Sequence, residues 1–274
     1  MSNEEQIEYW NDDAGTQWAA HQVALDEMLA PATAVLMEAA AIQSGERVLD
    51  VGCGTGQTSL MASAEGGDVT GVDISRPMLD LARSRGGDSV EFQLEDAATF
   101  RSGQQYDLVI SRFGVMFFAN PQAAFANIRS NLKPGGRMAF VCWQSPKVNA
   151  WVMVPMAALK PLLPEAPEVD PHDPGPFAFA DPERLQGILE AAGFEEVAIT
   201  PHGLDVCLSQ SGGVEEAVKF SSRIGPASRA LKEADETLHP QLLEALRGAL
   251  APHDKDGRVA LPGGIWVVTA RVSG

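Results

Sequence analysis

The stretch Arg47-Val-Leu-Asp-Val-Gly-Cys-Gly-Thr-Gly56 decides the fold that we predict for this chain. Its first half is a short apolar run of the kind that forms a buried central strand. Its second half places three glycines at alternate positions, and residues 57–64 then make a good helix-forming segment. Because glycine has no Cβ and tolerates positive φ, such a turn lets the backbone approach a ligand closely. Strand, glycine turn and helix together indicate a nucleotide-binding βα unit.

The spacing of these glycines argues against a dinucleotide site. A dinucleotide-binding turn needs the pattern G-x-G-x-x-G or a near variant. Here Gln57 follows Gly54-Thr-Gly56, so the third glycine comes one residue early. Asp50 also lies at the end of the strand, where the dinucleotide motif has no carboxylate. An NAD(P)-dependent oxidoreductase therefore stays only as an alternative that the spacing disfavours.

Residues 48–56 resemble motif I of the class I S-adenosylmethionine (SAM) dependent methyltransferases. In that family an acidic residue closes the next strand, as Asp73 does in Val69-Thr-Gly-Val-Asp73. The similarity extends over about residues 40–145, and the nearest subgroup is the ubiquinone-biosynthesis-like, or type 11, group. Three later segments carry it further, namely Leu94-Glu-Asp96-Ala97, Tyr106-Asp-Leu-Val-Ile-Ser111 and Leu132-Lys-Pro-Gly-Gly136.

The resemblance implies SAM as the cofactor, S-adenosylhomocysteine as the product, and a glycine turn that holds the methionine tail. Asp50 is expected to bind the ammonium group of that tail, directly or through water. Its alternative role is a bond to the N–H groups of the turn itself. The helix after the turn offers free N–H groups to the tail carboxylate. The turn residues in this prediction are Gly52, Gly54, Thr55 and Gly56.

The nucleoside half of SAM is expected to contact residues at the ends of the next two strands. Asp73 is placed to accept hydrogen bonds from both ribose hydroxyls, while Ile74 and Met78 would flank the adenine. Asp96 would accept from the exocyclic amine of the adenine, and the N–H of Ala97 would donate to a ring nitrogen. The alternative role for Asp96 is a cap of the local turn.

The reactive methyl group is expected near the end of the fourth strand, which Ser111, Arg112 and Phe113 follow. Trp18 and Trp143 are predicted to line the acceptor side and shield the sulfonium, because aromatic faces attract a cation while they exclude water. Phe113 could equally belong to the core. His21 is the candidate general base for a hydroxyl acceptor, with a structural or exposed histidine as the alternative.

Strands alternate with helices after the first unit, which predicts an α/β fold with a parallel sheet and helices on both faces. The resemblance implies a doubly wound, mostly parallel seven-stranded sheet (Rossmann-like) with an antiparallel edge strand and helical cap insertions. Ligands then bind beyond the carboxyl ends of the strands. Strands are predicted near residues 47–51, 68–73, 89–94, 106–111 and 136–143, and helices near 57–65, 76–85 and 121–132.

Two segments outside this core are predicted to cover the site. Residues 4–40 have a helical pattern with Pro31 breaking or starting a helix, and residues 144–180, rich in proline, are predicted to form a lid. Passive packing is the alternative for both segments. Further along the chain we expect a strand over 194–208 bulged at 201–203, two helices within 213–250 and a last strand at 265–272.

These predictions divide the chain into three parts. Residues 1–40 form an N-terminal helical cover, and residues 41–145 form the SAM-binding core. Residues 146–274 hold the lid, the cap and the last two strands of the same domain.

The charge balance limits the partners that the chain can have. With 37 acidic and 20 basic residues the net charge is −17, which disfavours nucleic acid and anionic membrane surfaces, since both are bound by basic residues. Three cysteines without a pairing pattern and no visible signal peptide indicate a reducing compartment, and we expect a cytoplasmic protein. No Cys/His spacing resembles a metal site.

We therefore expect a methyltransferase that acts on a small-molecule acceptor without a metal ion. Monomer and homodimer both stay open as oligomeric states. A protein that binds SAM without turning it over is the remaining alternative, because an intact cofactor motif says nothing about turnover.

Overall fold

A sheet of eight strands lies at the centre of the computed structural model, which describes residues 2–164 and 170–274. The strands are β1 (Arg47–Val51), β2 (Asp68–Asp73), β3 (Glu91–Leu94), β4 (Tyr106–Arg112), β5 (Leu132–Trp143), β6 (Glu195–Ser209), β7 (Asp254–Lys255) and β8 (Arg258–Arg271). Their order across the sheet is β3-β2-β1-β4-β5-β8-β6, and the short β7 pairs with β8 beside this path.

The first five strands pair in parallel, whereas β8 pairs antiparallel with both β5 and β6. The strand order reverses between β1 and β4, and in doubly wound sheets a ligand crevice opens at such a point. Val48, Leu49 and Val51 of β1 are fully buried, as a central parallel strand requires. The predicted α/β fold is confirmed, with the antiparallel pair β8–β6 at one edge and β6 outermost.

Helices surround the sheet and cover its carboxyl end. They are α1 (Asn3–Asn11), α2 (Asp13–Ala20), α3 (Gln22–Ala40), α4 (Gln57–Ala64), α5 (Arg76–Gly86), α6 (Pro121–Ser130), α7 (Ala150–Leu159), α8 (Pro182–Ala191), α9 (Gly213–Ser221), α10 (Pro226–Glu233) and α11 (His239–Leu250). Single 3₁₀ turns lie at Val115–Phe117, Pro146–Val148, Lys160–Leu162, Glu236–Leu238 and Ala251–His253. Within the described residues, no helix is both long and apolar enough to cross a membrane.

Pro31 neither breaks nor starts a helix, contrary to the prediction from the sequence. It lies inside α3, which runs without interruption from Gln22 to Ala40. A proline inside a helix removes one hydrogen bond and costs about 3 kcal/mol. Leu29, Leu36 and other apolar side chains of α3 are fully buried, and each contributes roughly 1.5–3 kcal/mol. Packing therefore outweighs the local penalty.

The C-terminal part of the chain differs from the prediction in two respects. Residues 213–250 form three helices rather than two, because Gly225, with a φ of 83°, and Pro226 separate α9 from α10. Residues 201–203 pair regularly with β8, and the irregularities of β6 lie instead at Glu195–Ala198 and Cys207–Ser209. Pro201 needs no bulge because β6 is an edge strand, where a missing N–H leaves no ladder bond unmade.

The helices inserted between β6 and β8 form a cap together with α7. Within the predicted lid, residues 150–159 form α7, which packs against α10 and α11. Residues 165–169 of the predicted lid lie outside the described residues. The division into parts 1–40, 41–145 and 146–274 stays a prediction.

Candidate cofactor and acceptor site

A cavity of about 200 Å³ opens beyond the carboxyl ends of β1, β2 and β4, beneath the N-terminal helices and α7. The second cavity is only about 20 Å³. The larger cavity brings together most of the residues that the sequence singled out: Gly52, Gly54, Thr55, Asp73, Ile74, Met78, Asp96, Ala97, Phe113, Trp18 and Trp143. Asp50, Gly56, Ser111 and His21 are not part of its lining.

The glycine turn forms one wall of the cavity. Gly52 has a φ of 66° and Gly54 a φ of 56°, a region that favours glycine. A Cβ at Gly52 would lie 2.7 Å from Cα of Gly114, so the loops after β1 and β4 touch only because both residues lack side chains. A Cβ at Gly54 would meet only the sulfur of Met78, at 3.7 Å. The backbone at Gly54 is therefore open to a ligand.

Asp73 closes β2 and lines the cavity with a buried carboxylate. One of its oxygens accepts a hydrogen bond from the N–H of Gly54 and the other from the N–H of Ser75, both at 2.8 Å. Burial raises the pKa of Asp73 to about 6, although these two backbone donors oppose the shift. Asp73 therefore fixes the glycine turn against β2 and keeps acceptor capacity for two ligand hydroxyls.

Asp96 lines the same cavity and is covered by the first helix. The side-chain amide of Asn3 donates to Asp96 at 2.5 Å, and the N–H of Ala98 donates to its other oxygen at 2.8 Å. The turn-cap alternative for Asp96 is thus present alongside its place in the cavity wall. Asn3 could not be predicted as a partner of Asp96, because 93 residues separate the two in sequence.

Asp50 and Ser111 do not line the cavity and bond within the protein, so their expected contacts with the cofactor stay predictions. Asp50 is fully buried and accepts hydrogen bonds from the hydroxyls of Thr58 and Ser59 on α4, both at 2.6 Å. Burial raises the pKa of Asp50. Ser111 donates to the carbonyl of Val51 at 2.7 Å. These bonds join β1 to α4 and the end of β4 to the end of β1.

Gly56 also has a structural task. It is the N-cap of α4 with a φ of 84°, and a Cβ there would lie 2.9 Å from the ring of Phe92. Gly56 is therefore required for close packing of α4, and the ligand-facing part of the turn is Gly52, Gly54 and Thr55.

An ionic network that sequence reasoning missed joins α3, α5, β4 and the glycine turn. Arg85 donates to the carbonyl of Thr55 at 2.7 Å and to Asp26 at 2.9 Å. Arg112 donates to the hydroxyl of Thr33 at 2.8 Å and lies 3.5 Å from Asp26. Burial lowers the pKa of Arg112, while the charges of Asp26 and Asp50 oppose that shift. Asp26 and Arg112 both line the cavity.

Aromatic side chains form the opposite wall. The rings of Phe113 and Trp143 stack with centroids 4.5 Å apart, and Trp151 of α7 packs on Trp143 at 4.9 Å. Phe113 has a φ of 64°, a strained value for a residue with a side chain. The Phe113 side chain is buried and is also part of the cavity wall.

The N-terminal helices add a second aromatic group to this wall. Trp10 makes edge-to-face contacts with Trp18 at 5.9 Å and with Phe117 at 5.2 Å. All three line the cavity. The N-terminal helices thus supply part of the cavity lining, and their closure over a bound cofactor stays a prediction.

His21 lies at the junction of α2 and α3 and outside the cavity lining. Burial lowers the pKa of His21, and the positive charges of Arg223 and Lys219 lower it further. A neutral imidazole can accept a proton, but this one is not among the residues that face the cavity. The structure thus gives no support to His21 as the general base.

Comparison with known proteins places this geometry in a family. Residues 48–136 match the profile of a methyltransferase domain. The ubiquinone biosynthesis O-methyltransferase of Bordetella avium is 31% identical over 173 residues, which are 61% of this chain and 71% of that protein. The chain belongs to the SAM-dependent methyltransferases.

Two further comparisons show how far the likeness extends. An uncharacterised protein of Mycobacterium tuberculosis is 34% identical over 132 residues, so the chain spans about half the length of this curated relative (48%) and 46% of its own length is matched. The phosphoethanolamine N-methyltransferase 2 of Haemonchus contortus, solved with S-adenosyl-L-methionine, superposes with a TM-score of 0.57 at 18% identity. That superposition covers 97% of this chain and 60% of the other, and it shows a shared fold.

The residues of the cavity fit the cofactor of this family. Gly54 leaves backbone open to the cofactor, Asp73 retains acceptor capacity for a diol, and Ile74 and Met78 supply apolar surface for a flat base. Within residues 2–164 and 170–274, no group of three or more His, Cys, Asp or Glu side chains is arranged to hold a metal ion.

Proposed function

We propose that this methyltransferase transfers the methyl group of SAM to a small-molecule acceptor and releases S-adenosylhomocysteine. The observation that carries the proposal is that a single cavity joins a nucleotide-binding wall to an aromatic wall. The first wall contains Gly54, Asp73 and Asp96, and the second contains Phe113 and Trp143. Such an arrangement would hold a cofactor and a second molecule side by side in one cavity.

The acceptor that best suits the second wall has a flat, apolar body. The stacked pair Phe113–Trp143 and its neighbour Trp151 offer ring faces, which favour aromatic partners. The relative from Bordetella avium is named as an O-methyltransferase of ubiquinone biosynthesis. We propose a phenol- or quinol-like acceptor for this chain.

Catalysis is proposed to rest on positioning and on exclusion of water. The bound cofactor supplies a methyl group already activated by the sulfonium, so the protein need not provide an electrophile. Holding two reactants in line removes much of the barrier of a bimolecular step. Trp18, Phe113 and Trp143 would hold the acceptor and keep water from the reacting atoms, since their rings line the cavity.

The charge and thiols support the setting in which we propose this function. A net charge of −17 suits a small organic acceptor better than nucleic acid or an anionic membrane surface. Cys53, Cys142 and Cys207 are free and buried, which suits the reducing cytoplasm.

Calorimetry and product analysis test the proposal together. We expect measurable binding of SAM and S-adenosylhomocysteine and none of NAD. Incubation of SAM with a panel of phenols and quinols should then yield S-adenosylhomocysteine with at least one acceptor. Binding of NAD without SAM would indicate an oxidoreductase, and cofactor binding without turnover on any acceptor would indicate a SAM-binding protein.

A further inference from the structure

Arg112 is the only cationic side chain in the cavity wall, as far as residues 2–164 and 170–274 show. Only 11% of its side chain is exposed, and the charged neighbours around the cavity are acidic: Asp26, Asp73, Glu95 and Asp96. A buried guanidinium costs folding free energy unless its donors are used. One of its nitrogens donates to Thr33, and another lies 3.5 Å from Asp26, too far for a short hydrogen bond.

Arg112 lies at the glycine-turn end of the cavity rather than at the acceptor end. In the pairing of β1 with β4, Asp50 lies opposite Ile110, so Arg112 is level with Gly52. Its partner Asp26 is tied to the turn by Arg85, which also bonds to the carbonyl of Thr55. The pair Asp26–Arg112 thus borders the wall where an amino-acid tail would lie next to the turn.

The charges behind this wall are incompletely paired. The buried oxygen of Asp26 that faces Arg112 lies 3.5 Å from it and has no closer donor, and one oxygen of Asp50 is buried without a hydrogen-bond donor among the described residues. Asp26, Asp50, Arg85 and Arg112 together carry no net charge. A zwitterion adds one charge of each sign, so it can pair with Arg112 and with Asp26 while the cluster stays neutral.

We propose that Arg112 binds the carboxylate of the cofactor's amino-acid tail and that Asp26 supplies the negative charge for its ammonium group. This rests on the proposed function, since it takes the cofactor to be SAM. It moves recognition of the ammonium from Asp50, which is bonded to Thr58 and Ser59, to a residue of α3. Asp26 lies outside residues 48–136, the part that matches the methyltransferase-domain profile.

A guanidinium fork matches a carboxylate with two parallel hydrogen bonds. The tail should therefore contribute a large share of the binding free energy, and a nucleoside without it should bind weakly. The alternative occupant of Arg112 is an anionic group of the acceptor. The position beside Gly52 and Asp26 favours the tail, because the aromatic acceptor wall begins at Phe113 and runs to Trp151.

Two ligands that differ only by the tail test this proposal by calorimetry. S-adenosylhomocysteine carries the amino-acid tail, and 5′-methylthioadenosine has the same thio-nucleoside without it. Arg112→Met should weaken S-adenosylhomocysteine by roughly 10- to 150-fold, the loss expected for hydrogen bonds to a charged group. Affinity for 5′-methylthioadenosine should stay within about twofold of wild type. Arg129→Met is the matched control, because Arg129 bonds to Gly193 and does not line the cavity.

Each outcome decides the matter. If Arg112→Met loses affinity for both ligands equally, Arg112 only supports the fold. If S-adenosylhomocysteine affinity is unchanged and the KM for the acceptor rises, Arg112 binds the acceptor. Either result overturns the proposal. If Arg112→Met does not fold, Arg112→Lys carries the test, with a selective loss of S-adenosylhomocysteine expected. Wild type that binds neither ligand would instead contradict the proposed function itself.

Discussion

Replacing Asp73 by asparagine should lower cofactor affinity without a matching loss of stability. Burial raises the pKa of Asp73 from the ordinary value of 3.8 to about 6, a difference of about 3 kcal/mol against the ionised form at neutral pH. Asparagine removes that cost, but its single oxygen can accept from only one of the N–H groups of Gly54 and Ser75. The lost bond costs about 1–3 kcal/mol. The free energy of unfolding at pH 7.5 should therefore stay level or rise by up to about 2 kcal/mol.

Cofactor affinity, unlike the free energy of unfolding, should fall in Asp73→Asn. An ionised carboxylate can accept both ribose hydroxyls, whereas the neutral amide cannot, and hydrogen bonds to a charged group contribute about 1.5–3 kcal/mol. S-adenosylhomocysteine should thus bind Asp73→Asn roughly 10- to 150-fold more weakly at pH 7.5. Wild-type affinity should also fall below about pH 6, where the folded carboxyl of Asp73 takes up a proton.

Urea unfolding and calorimetry across pH 4 to 8 measure both effects. Between pH 3.8 and about 6 the folded Asp73 holds a proton that the unfolded chain has lost. The bound proton stabilises the folded state at low pH, and this contribution to the free energy of unfolding is lost as the pH rises through about 6. The difference in free energy of unfolding between wild type and Asp73→Asn should therefore change over the same pH range. A difference that is flat with pH, or unchanged affinity in the variant, would refute the reasoning.

Four other outcomes are expected. Limited proteolysis should cut within residues 160–180 of the free protein and less with SAM bound, and equal cutting would show a passive loop. Chelator should leave turnover intact, since the described residues offer no ligand cluster; lost turnover restored by a metal ion would contradict this. His21→Ala should change turnover by less than about tenfold, because the ring is outside the cavity lining, and a fall beyond about a hundredfold would reinstate it as the base. Trp18→Ala should raise the KM for the acceptor, and unchanged kinetics would show that the N-terminal helices are structural.

The fold follows from the sequence wherever the cause is local. The apolar run of β1, the glycine turn and α4 are contiguous, so their pattern alone predicts their bounds well. Local rules fail where a distant partner intervenes. Ser75 occupies the N-cap position of α5, but its hydroxyl donates to the carbonyl of Trp10, which lies 65 residues away in sequence, rather than to the helix. Pro31 looked like a helix breaker, but buried neighbours on α3 keep the helix intact.

The site residues show the same contrast between local patterns and distant partners. Asp73 and Asp96 line the cavity as predicted, because the carboxyl ends of parallel strands meet at one edge of a sheet. That rule places a Cα at the edge but does not say where the side chain turns, and hydroxyls on α4 draw Asp50 inward. Asp26 could not be predicted as a site residue because it belongs to no motif. Its one signal was an acidic residue among the apolar side chains of α3.

Relatives inform differently about the two walls of the cavity, one of which would bind the cofactor and the other the acceptor. Gly54, Asp73 and Asp96 fall within residues 48–136, where the methyltransferase-domain profile matches. Much of the aromatic wall comes from outside that range, with Trp10 and Trp18 before it and Trp143 and Trp151 after it. Cofactor choice can therefore be carried over from the family by sequence. The acceptor cannot, because the side chains that would select it lie in segments that the family profile does not reach.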